Sequence, residues 1–210
     1  MFLLNIIIIV IIFIGACRGT LTEKELVVES NIVIKYYYHP SSASSASSSK
    51  SIILLHGAKY SKETWVKTNT ISALAQQHIN VYALDIPTKK VDDSVLKDII
   101  EKLGLEKPII LSPSLSGKYS IHLLTHYPHL VGAYIAVAPV IPTIDITSLQ
   151  SLNIKSLFIY GDKDIEGIKR SKLLMTYLKG SKEYQITGNH ACYLDDPEGF
   201  NQQIINFIRQ

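Results

Sequence analysis

Cysteine is nearly absent from these 210 residues: Cys17 and Cys192 are the whole supply. Two thiols cannot make the disulfide framework of a small secreted domain or the usual four-ligand zinc site. Glycine (11) and proline (8) are sparse as well, which excludes collagen-like and Pro/Gly-rich disordered architectures. An excess of charge of one sign is also lacking. The 21 Lys and Arg set against 18 Asp and Glu leave +3, spread without a dense basic cluster, and that is no electrostatic footprint for nucleic acid. What the chain does have is apolar residues, 47% of the total. That suffices for a sizeable core in one domain.

A long apolar run lies at the N-terminus, where Phe2 to Ala16 is interrupted only by Asn5. It falls short of the roughly 20 residues that a spanning helix needs, and Gly15, Ala16, Cys17 and Arg18 follow its core. These features predict a signal peptide or membrane anchor over residues 1–19 and a single domain over 20–210. They imply a secretory-pathway protein, secreted or membrane-anchored, with membrane association through this segment. Ile14-Gly15-Ala16-Cys17 also looks like a lipoprotein box, in which Cys17 would be acylated. Loss of the segment would leave Cys192 as a lone thiol.

Behind it, Glu25 to Tyr38 carries β-branched and aromatic residues around Glu29-Ser30-Asn31, the pattern of a hairpin. Ser41 to Ser51 is almost all Ser and Ala and reads as a solvated loop. Short apolar runs then alternate with amphipathic stretches. The runs are Ile52–Leu55, Val81–Leu84, Ile109–Leu111, Tyr134–Ala138, Leu157–Tyr160 and Tyr184–Ile186. Being continuous rather than alternating, they predict parallel strands covered on both faces. A helix is expected behind a Ser61 cap, with Trp65, Thr68, Ile71, Leu74, Ala75 and His78 at helical spacing. A second should start near Asp92 and Asp93 and stop at Gly104. The last begins Asp196-Pro197-Glu198, a capping residue followed by Pro in the first turn. The whole predicts a doubly wound, mostly parallel α/β sheet.

Ligands of such sheets bind at the carboxyl ends of strands. Beyond those ends stand His56-Gly57-Ala58, Ser112-Pro113-Ser114-Leu115-Ser116-Gly117, Gly161-Asp162-Lys163-Asp164 and Gly188-Asn189-His190. A hydroxyl, a carboxylate and an imidazole thus follow strands in the chain order of an α/β-hydrolase triad. A serine hydroxyl needs a base to become a nucleophile, and His190 could serve. A carboxylate behind the ring, from Asp162 or Asp164, would fix its tautomer. With Ser114 on a strand-to-helix turn, the backbone N–H of Leu115 would face the developing oxyanion, and that of Ala58 would be the second donor. Each residue alone has a blander reading. Ser114 could sit in a surface turn, His190 in an ordinary loop, and Asp162 and Asp164 could be turn formers. Only their joint placement argues for chemistry. His56 reads as a strand-end packing residue, Cys192 as a packed thiol, and His122, His126 and His129 as a polar helix end rather than a metal site. Neither metal nor cofactor is expected.

The segments Leu54–Trp65, Ser112–Gly117 and Gly188–Glu198 resemble the alpha/beta-hydrolase domain-containing protein 14 family over roughly residues 25 to 210. That resemblance implies an α/β-hydrolase fold without a cap domain and a compact serine hydrolase of short acyl esters. Carried over by motif, Ser114 is the nucleophile, His190 the base and Asp164 the acid, with Asp162 a lesser candidate. Some members move acetyl groups from lysine to coenzyme A, and one branch carries an N-terminal anchor. Three functions follow as alternatives: ester hydrolysis through an acyl-serine, acyl transfer from acyl-lysine to coenzyme A, or a silent fold used as a protein-binding module. The partner expected in the first two is a small acyl substrate; the oligomeric state is left open. This chain departs from Gly-x-Ser-x-Gly by having Ser112 and Ser116, so the turn must strain a residue bearing Cβ. The segment after Asp85-Ile86-Pro87 is short, and Thr143 to Leu152 is too short for a folded lid, so an open site is expected.

Overall fold

The computed structural model describes residues 10–11, 19–28, 31–41, 50–87 and 94–210. A two-residue strand, β1 (Val10–Ile11), lies against β2 (Thr22–Val28), which pairs antiparallel with β3 (Ile32–His39) in the expected hairpin. Asn31, at φ 57°, turns the chain into β3. Then come β4 (Ser51–Leu54), β5 (Asn80–Leu84), β6 (Ile109–Pro113), β7 (Ala133–Val137), β8 (Lys155–Gly161) and β9 (Lys182–Ile186). Their order among the described residues is β1-β2-β3-β5-β4-β6-β7-β8-β9, parallel from β5 onward. Each expected apolar run lies in one of these six strands or overruns it by a residue. The doubly wound expectation holds.

Helices cover both faces. On one side α1 (Glu63–Lys67), α2 (Thr70–Ala75), α6 (Cys192–Asp195) and α7 (Pro197–Arg209) bury Trp65, Leu74, Tyr193, Phe200 and Ile204 against the sheet. On the other, α3 (Val95–Lys102), α4 (Gly117–His126) and α5 (Ile165–Tyr177) bury Leu96, Ile99, Tyr119, Leu124 and Leu174. Each fully buried Leu, Ile or Phe contributes about 1.5–3 kcal/mol of apolar transfer. Asp196 caps α7 by accepting the Gly199 N–H at 2.9 Å, with Pro197 in the first turn, as expected. The segment between β7 and β8 lies on the α4 and α5 side with Leu149 buried in the core, and no cap domain is evident among the described residues.

Two expectations need correction. The helix read from Ser61 to His78 is broken. Asn69 takes a left-handed φ of 57° between α1 and α2, a conformation that Asn tolerates better than most residues. Thr68 Oγ1 bonds back to the Thr64 carbonyl at 2.9 Å, and Ser61 hydrogen-bonds the Glu63 carboxylate instead of capping α1.

The second correction concerns the N-terminus. The signal peptide or anchor, the membrane association and the secretory address were read from the apolar length and flanks of Phe2–Ala16. Among the described residues no helix is long and apolar enough to cross a membrane. The two described residues inside that run are strand, pairing Val10 with Glu23 and Ile11 with Thr22. Val10 and Ile11 have the β-branched stiffness that suits a strand, and apolar length alone does not separate the two states. The rest of the run, most of the Ser/Ala loop and the helix start expected near Asp92 and Asp93 lie outside the described residues.

Candidate active site

The chain order of the strands places a switch point between β4 and β6. The helices after β4 pack on one face of the sheet and the helix after β6 on the other, so the loops leaving these neighbours diverge and open a crevice. Gly57 and Ser114 meet there: a Cβ built on Gly57 would lie 3.5 Å from Ser114 Cβ.

Ser114 stands on a sharp turn between β6 and α4, at φ 50°. For a residue with Cβ this costs roughly 1–2 kcal/mol, and its surroundings hold it in place. The Ser114 carbonyl accepts the Val140 N–H at 2.8 Å. Gly117, three residues on, packs so closely that a Cβ would sit 2.6 Å from the Val140 carbonyl oxygen. This is the position where the elbow demands glycine. Ser112 and Ser116, where glycines were expected, are buried with their hydroxyls 3.1 Å apart. Ser112 Oγ also accepts from Ser120 at 2.8 Å, and Ser120 lies 3.2 Å from the hydroxyl of fully buried Tyr134. Burial pushes the Tyr134 hydroxyl up to about 12, so it stays protonated beneath the turn.

His190, on the loop after β9, reaches Ser114. Its Nε2 lies 2.8 Å from Ser114 Oγ and its Nδ1 2.5 Å from Asp164 Oδ2. Because a carboxylate can only accept, Nδ1 carries the proton and Nε2 is free to accept from the serine. Asp164 is nearly buried (10% exposed), whereas the His190 ring is 45% exposed. Asp164 also caps α5, its Oδ1 accepting the Gly167 N–H at 3.0 Å. Of the two aspartates left open by the residues alone, it is Asp164 that touches the ring. Asp162 instead accepts the Gly188 N–H at 2.9 Å and so joins the acid-bearing loop to the histidine loop.

Leu115 follows Ser114 in its 3-10 turn. Ala58 follows Gly57, whose carbonyl accepts from Tyr60 N–H at 3.0 Å and from His56 Nδ1 at 2.9 Å. In a trans peptide the N–H points opposite to the C=O, so these bonds turn the Ala58 N–H to the other side. His56 is buried, with Nε2 accepting the Ile86 N–H at 3.1 Å. It clamps two strand-end loops, as its packing reading anticipated. Cys192 is fully buried, and burial, helped by the charges of Asp195 and Asp164, pushes its thiol up to about 12. His122 and His126 stack with ring centroids 4.0 Å apart. Among the described residues no three His, Cys, Asp or Glu side chains gather where a metal ion could be held.

Sequence reasoning passed over Tyr60 and Tyr193, which border Gly57 beside Ser114. The sign was available, since Tyr193 stands three residues after His190. It also passed over a cavity of about 560 Å³ at the opposite, amino ends of the strands, lined by Lys50, Lys107 and Lys155 among others. Lys50 and Lys155 there donate to the carbonyls of Ile208 and Phe207 at the C-terminal end of α7, the negative pole of its dipole.

No family model matches the chain. Protein ABHD14A of Danio rerio is 32% identical over 172 residues, covering 75% of this chain and 63% of that protein. The human protein described as "Putative protein-lysine deacylase ABHD14B" is 29% identical over 177 residues, 75% of this chain and 82% of its own. The chain thus spans somewhat less than two thirds of the fish relative. Among solved structures, a predicted CIB-like hydrolase from Thermoplasma acidophilum superposes with a TM-score of 0.78 at 24% identity, over 91% of this chain and 99% of that one. Carboxylesterase CesB of Bacillus subtilis gives 0.68 at 17%, over 89% and 91%. At these identities the structures attest the fold alone: an α/β-hydrolase fold.

Proposed function

We propose that this chain, an α/β-hydrolase homologous to the ABHD14 proteins, is a serine hydrolase of small acyl esters working through an acyl-serine. The observation that carries the proposal is a single ring: His190 touches Ser114 Oγ on one side and Asp164 Oδ2 on the other, at 2.8 and 2.5 Å. Both separations lie within the reach that proton transfer needs.

The steps follow from these contacts. Ser114 Oγ attacks the acyl carbonyl while its proton passes to His190 Nε2. The imidazolium is stabilised by Asp164, which keeps its own charge. The carbonyl oxygen becomes an oxyanion facing the backbone N–H groups of Leu115 and Ala58. Each such donor is worth about 100- to 1,000-fold in turnover. Collapse of the tetrahedral adduct breaks the bond to the leaving group, which takes the proton from His190. Water then repeats the sequence on the acyl-serine, giving its proton to His190 and freeing the carboxylic acid.

The half-exposed His190 ring favours an acyl group carried on a protruding side chain, and the human relative's description as a protein-lysine deacylase makes acyl-lysine the second substrate to test. A fluorophosphonate should label the wild-type protein and not Ser114→Ala, and p-nitrophenyl acetate should be hydrolysed only by the former. A folded wild type that neither labels nor hydrolyses would refute the reading in favour of a silent binding module. Acetyl-lysine peptide offered with and without coenzyme A then identifies the acceptor as thiol or water.

A further inference from the structure

Tyr193 carries a hydroxyl that the fold leaves unused. Its side chain is 2% exposed. The ring lies 5.2 Å from Trp65 and 5.8 Å from Phe200 between centroids, and edge-on to Tyr60 at 5.9 Å. Buried tyrosines ordinarily find a partner for the hydroxyl. Tyr119 does so at the Pro87 carbonyl, Tyr160 at Glu183 and Tyr134 at Ser120. Tyr193 Oη has no hydrogen-bond partner among the described residues, yet it is not one of the unpaired polar atoms sealed from solvent, so the oxygen opens on accessible space. The ring is held in the core while its oxygen faces accessible space, so the hydroxyl is free to donate to a bound molecule.

Gly57 shows where the hydroxyl points. The place its side chain would occupy is 3.7 Å from Tyr193 Oη, 3.5 Å from Ser114 Cβ and 3.4 Å from the Tyr60 ring. The hydroxyl and the nucleophile therefore border one small space, kept open because residue 57 has no side chain. That space adjoins the Ala58 N–H, which the two hydrogen bonds to the Gly57 carbonyl turn away from that carbonyl. The short helix α6 begins two residues after His190 and carries Tyr193 in its first turn, so one segment delivers both the ring and the hydroxyl.

We infer that Tyr193 Oη–H is a third donor to the oxyanion formed at Ser114, alongside the N–H groups of Leu115 and Ala58. This rests on the serine-hydrolase reading above. The hydroxyl forms and breaks no covalent bond; it donates a hydrogen bond that strengthens as charge builds on the carbonyl oxygen. Burial, with smaller contributions from Tyr60 and Cys192, raises the pKa of this phenol well above its ordinary range, which keeps the proton in place as a donor. Tyr60 closes the same space with an apolar ring edge. A short acyl group could share the space with the oxyanion, and a bulky one would meet the ring.

The test is Tyr193→Phe, which keeps the ring and its packing and removes one oxygen. The expected result is kcat on p-nitrophenyl acetate lowered by about 100-fold with KM changed less than about twofold. Affinity for an aryl trifluoromethyl ketone, which adds to the serine as a tetrahedral oxyanion, should fall by the same factor. The melting temperature should hold, because the lost hydroxyl had no partner among the described residues. Turnover and ketone affinity within about twofold of wild type would overturn the inference, and so would a loss confined to KM. A lowered melting temperature accompanying the loss of activity would assign Tyr193 a packing role instead. If the wild type itself fails with the fluorophosphonate, the hydrolase reading has failed and takes the inference with it. If the wild type labels and only the Tyr193→Phe prediction fails, the hydrolase reading survives.

Discussion

Asp164 holds His190 with one carboxylate oxygen and the first turn of α5 with the other: Oδ2 lies 2.5 Å from His190 Nδ1, and Oδ1 accepts the Gly167 N–H at 3.0 Å. The carboxylate thus takes its rigidity from a helix cap and passes it to the imidazole. Glycine at 167 makes room for this contact, since a Cβ there would collide with Asp164 Oδ2. Orientation of the His190 ring is thus built into the fold.

This arrangement separates two effects of one substitution. In Asp164→Asn the amide oxygen can keep the cap on Gly167, since Asn is as good a capping residue as Asp. Its NH2 then faces Nδ1 and forces that nitrogen to accept, which puts the proton on Nε2, where it blocks the serine. Turnover should fall by about 10,000-fold while the urea midpoint stays near wild type. Asp162→Asn retains an oxygen for the Gly188 N–H and should stay within about threefold of wild type, as suits a loop clamp that touches no reacting atom. Esterase rates and unfolding curves on the two variants decide it, and equal losses in both would contradict the assignment of Asp164 as the acid.

The strain at Ser114 leads to a stability prediction that runs against habit. Glycine ordinarily destabilises a protein relative to alanine, by roughly 0.5–1 kcal/mol. At φ 50° the alanine must keep the strain of a Cβ, about 1–2 kcal/mol, while glycine releases it. Ser114→Gly should therefore unfold at an equal or higher urea concentration than Ser114→Ala, with both inactive. A clearly more stable alanine variant would show that the turn is not strained.

Much of the architecture was legible in the chain because five of the six runs lie inside the sheet and are continuously apolar, a signal that survives without knowledge of neighbours, whereas Tyr184–Ile186 falls in the edge strand β9, exposed but for Ile186 and not covered on both faces as expected. The places of Ser114, Asp164 and His190 beyond strand ends were legible for the same reason, since topology converts strand ends into one rim. What escaped depends on partners distant in sequence or on backbone competition. Asn69 broke a stretch whose apolar spacing alone reads as one helix. Val10 and Ile11 became strand because β2 offered an edge, which no count of apolar residues reveals. The hydroxyl chain Ser116, Ser112, Ser120 and Tyr134 joins a turn, a helix and the neighbouring strand, and no local pattern announces it.

Cys192 offers a check on which side chain is the nucleophile. With the thiol fully buried and pushed up to about 12, almost no thiolate forms at pH 8, and the thiolate is the reactive species. Iodoacetamide should leave the peptide carrying Cys192 unmodified in the native protein and alkylate it in urea. Esterase activity should survive the native treatment. Rapid native alkylation of Cys192 with parallel loss of activity would move the chemistry from Ser114 to the thiol.

Lys62 supplies the pH dependence of stability. It is 4% exposed, with Nζ 2.8 Å from Asp85, 2.9 Å from Glu63 and 3.1 Å from Glu23, and 4.7 Å above the Tyr37 ring. Burial alone would lower the ammonium pKa, but the hydrogen bonds that Lys62 donates to Asp85, Glu63 and Glu23 overcome it and raise the value above the usual lysine range. For Glu63 the balance is similar: burial would raise its carboxyl, yet hydrogen bonds from Lys62 and Ser61 hold it at about 2 against an ordinary 4.5. A depressed folded value means that Glu63 contributes its stabilisation above about pH 4.5 and loses it as the pH falls toward 2. The contribution is modest, because the Glu63 side chain is 42% exposed and solvent screens it. Lys62→Met should reverse the slope. Three carboxylates would then face one another without a cation, so protonation would relieve repulsion and the variant would gain stability as the pH falls from about 6 to 4. At pH 7 the loss should be about 2 kcal/mol, below the roughly 3–5 kcal/mol of a fully buried pair because the carboxylates are partly exposed. Urea midpoints across that range read the sign directly. Parallel curves for wild type and variant would mean that the cluster carries no net charge coupling between the β2 edge, α1 and the loop after β5.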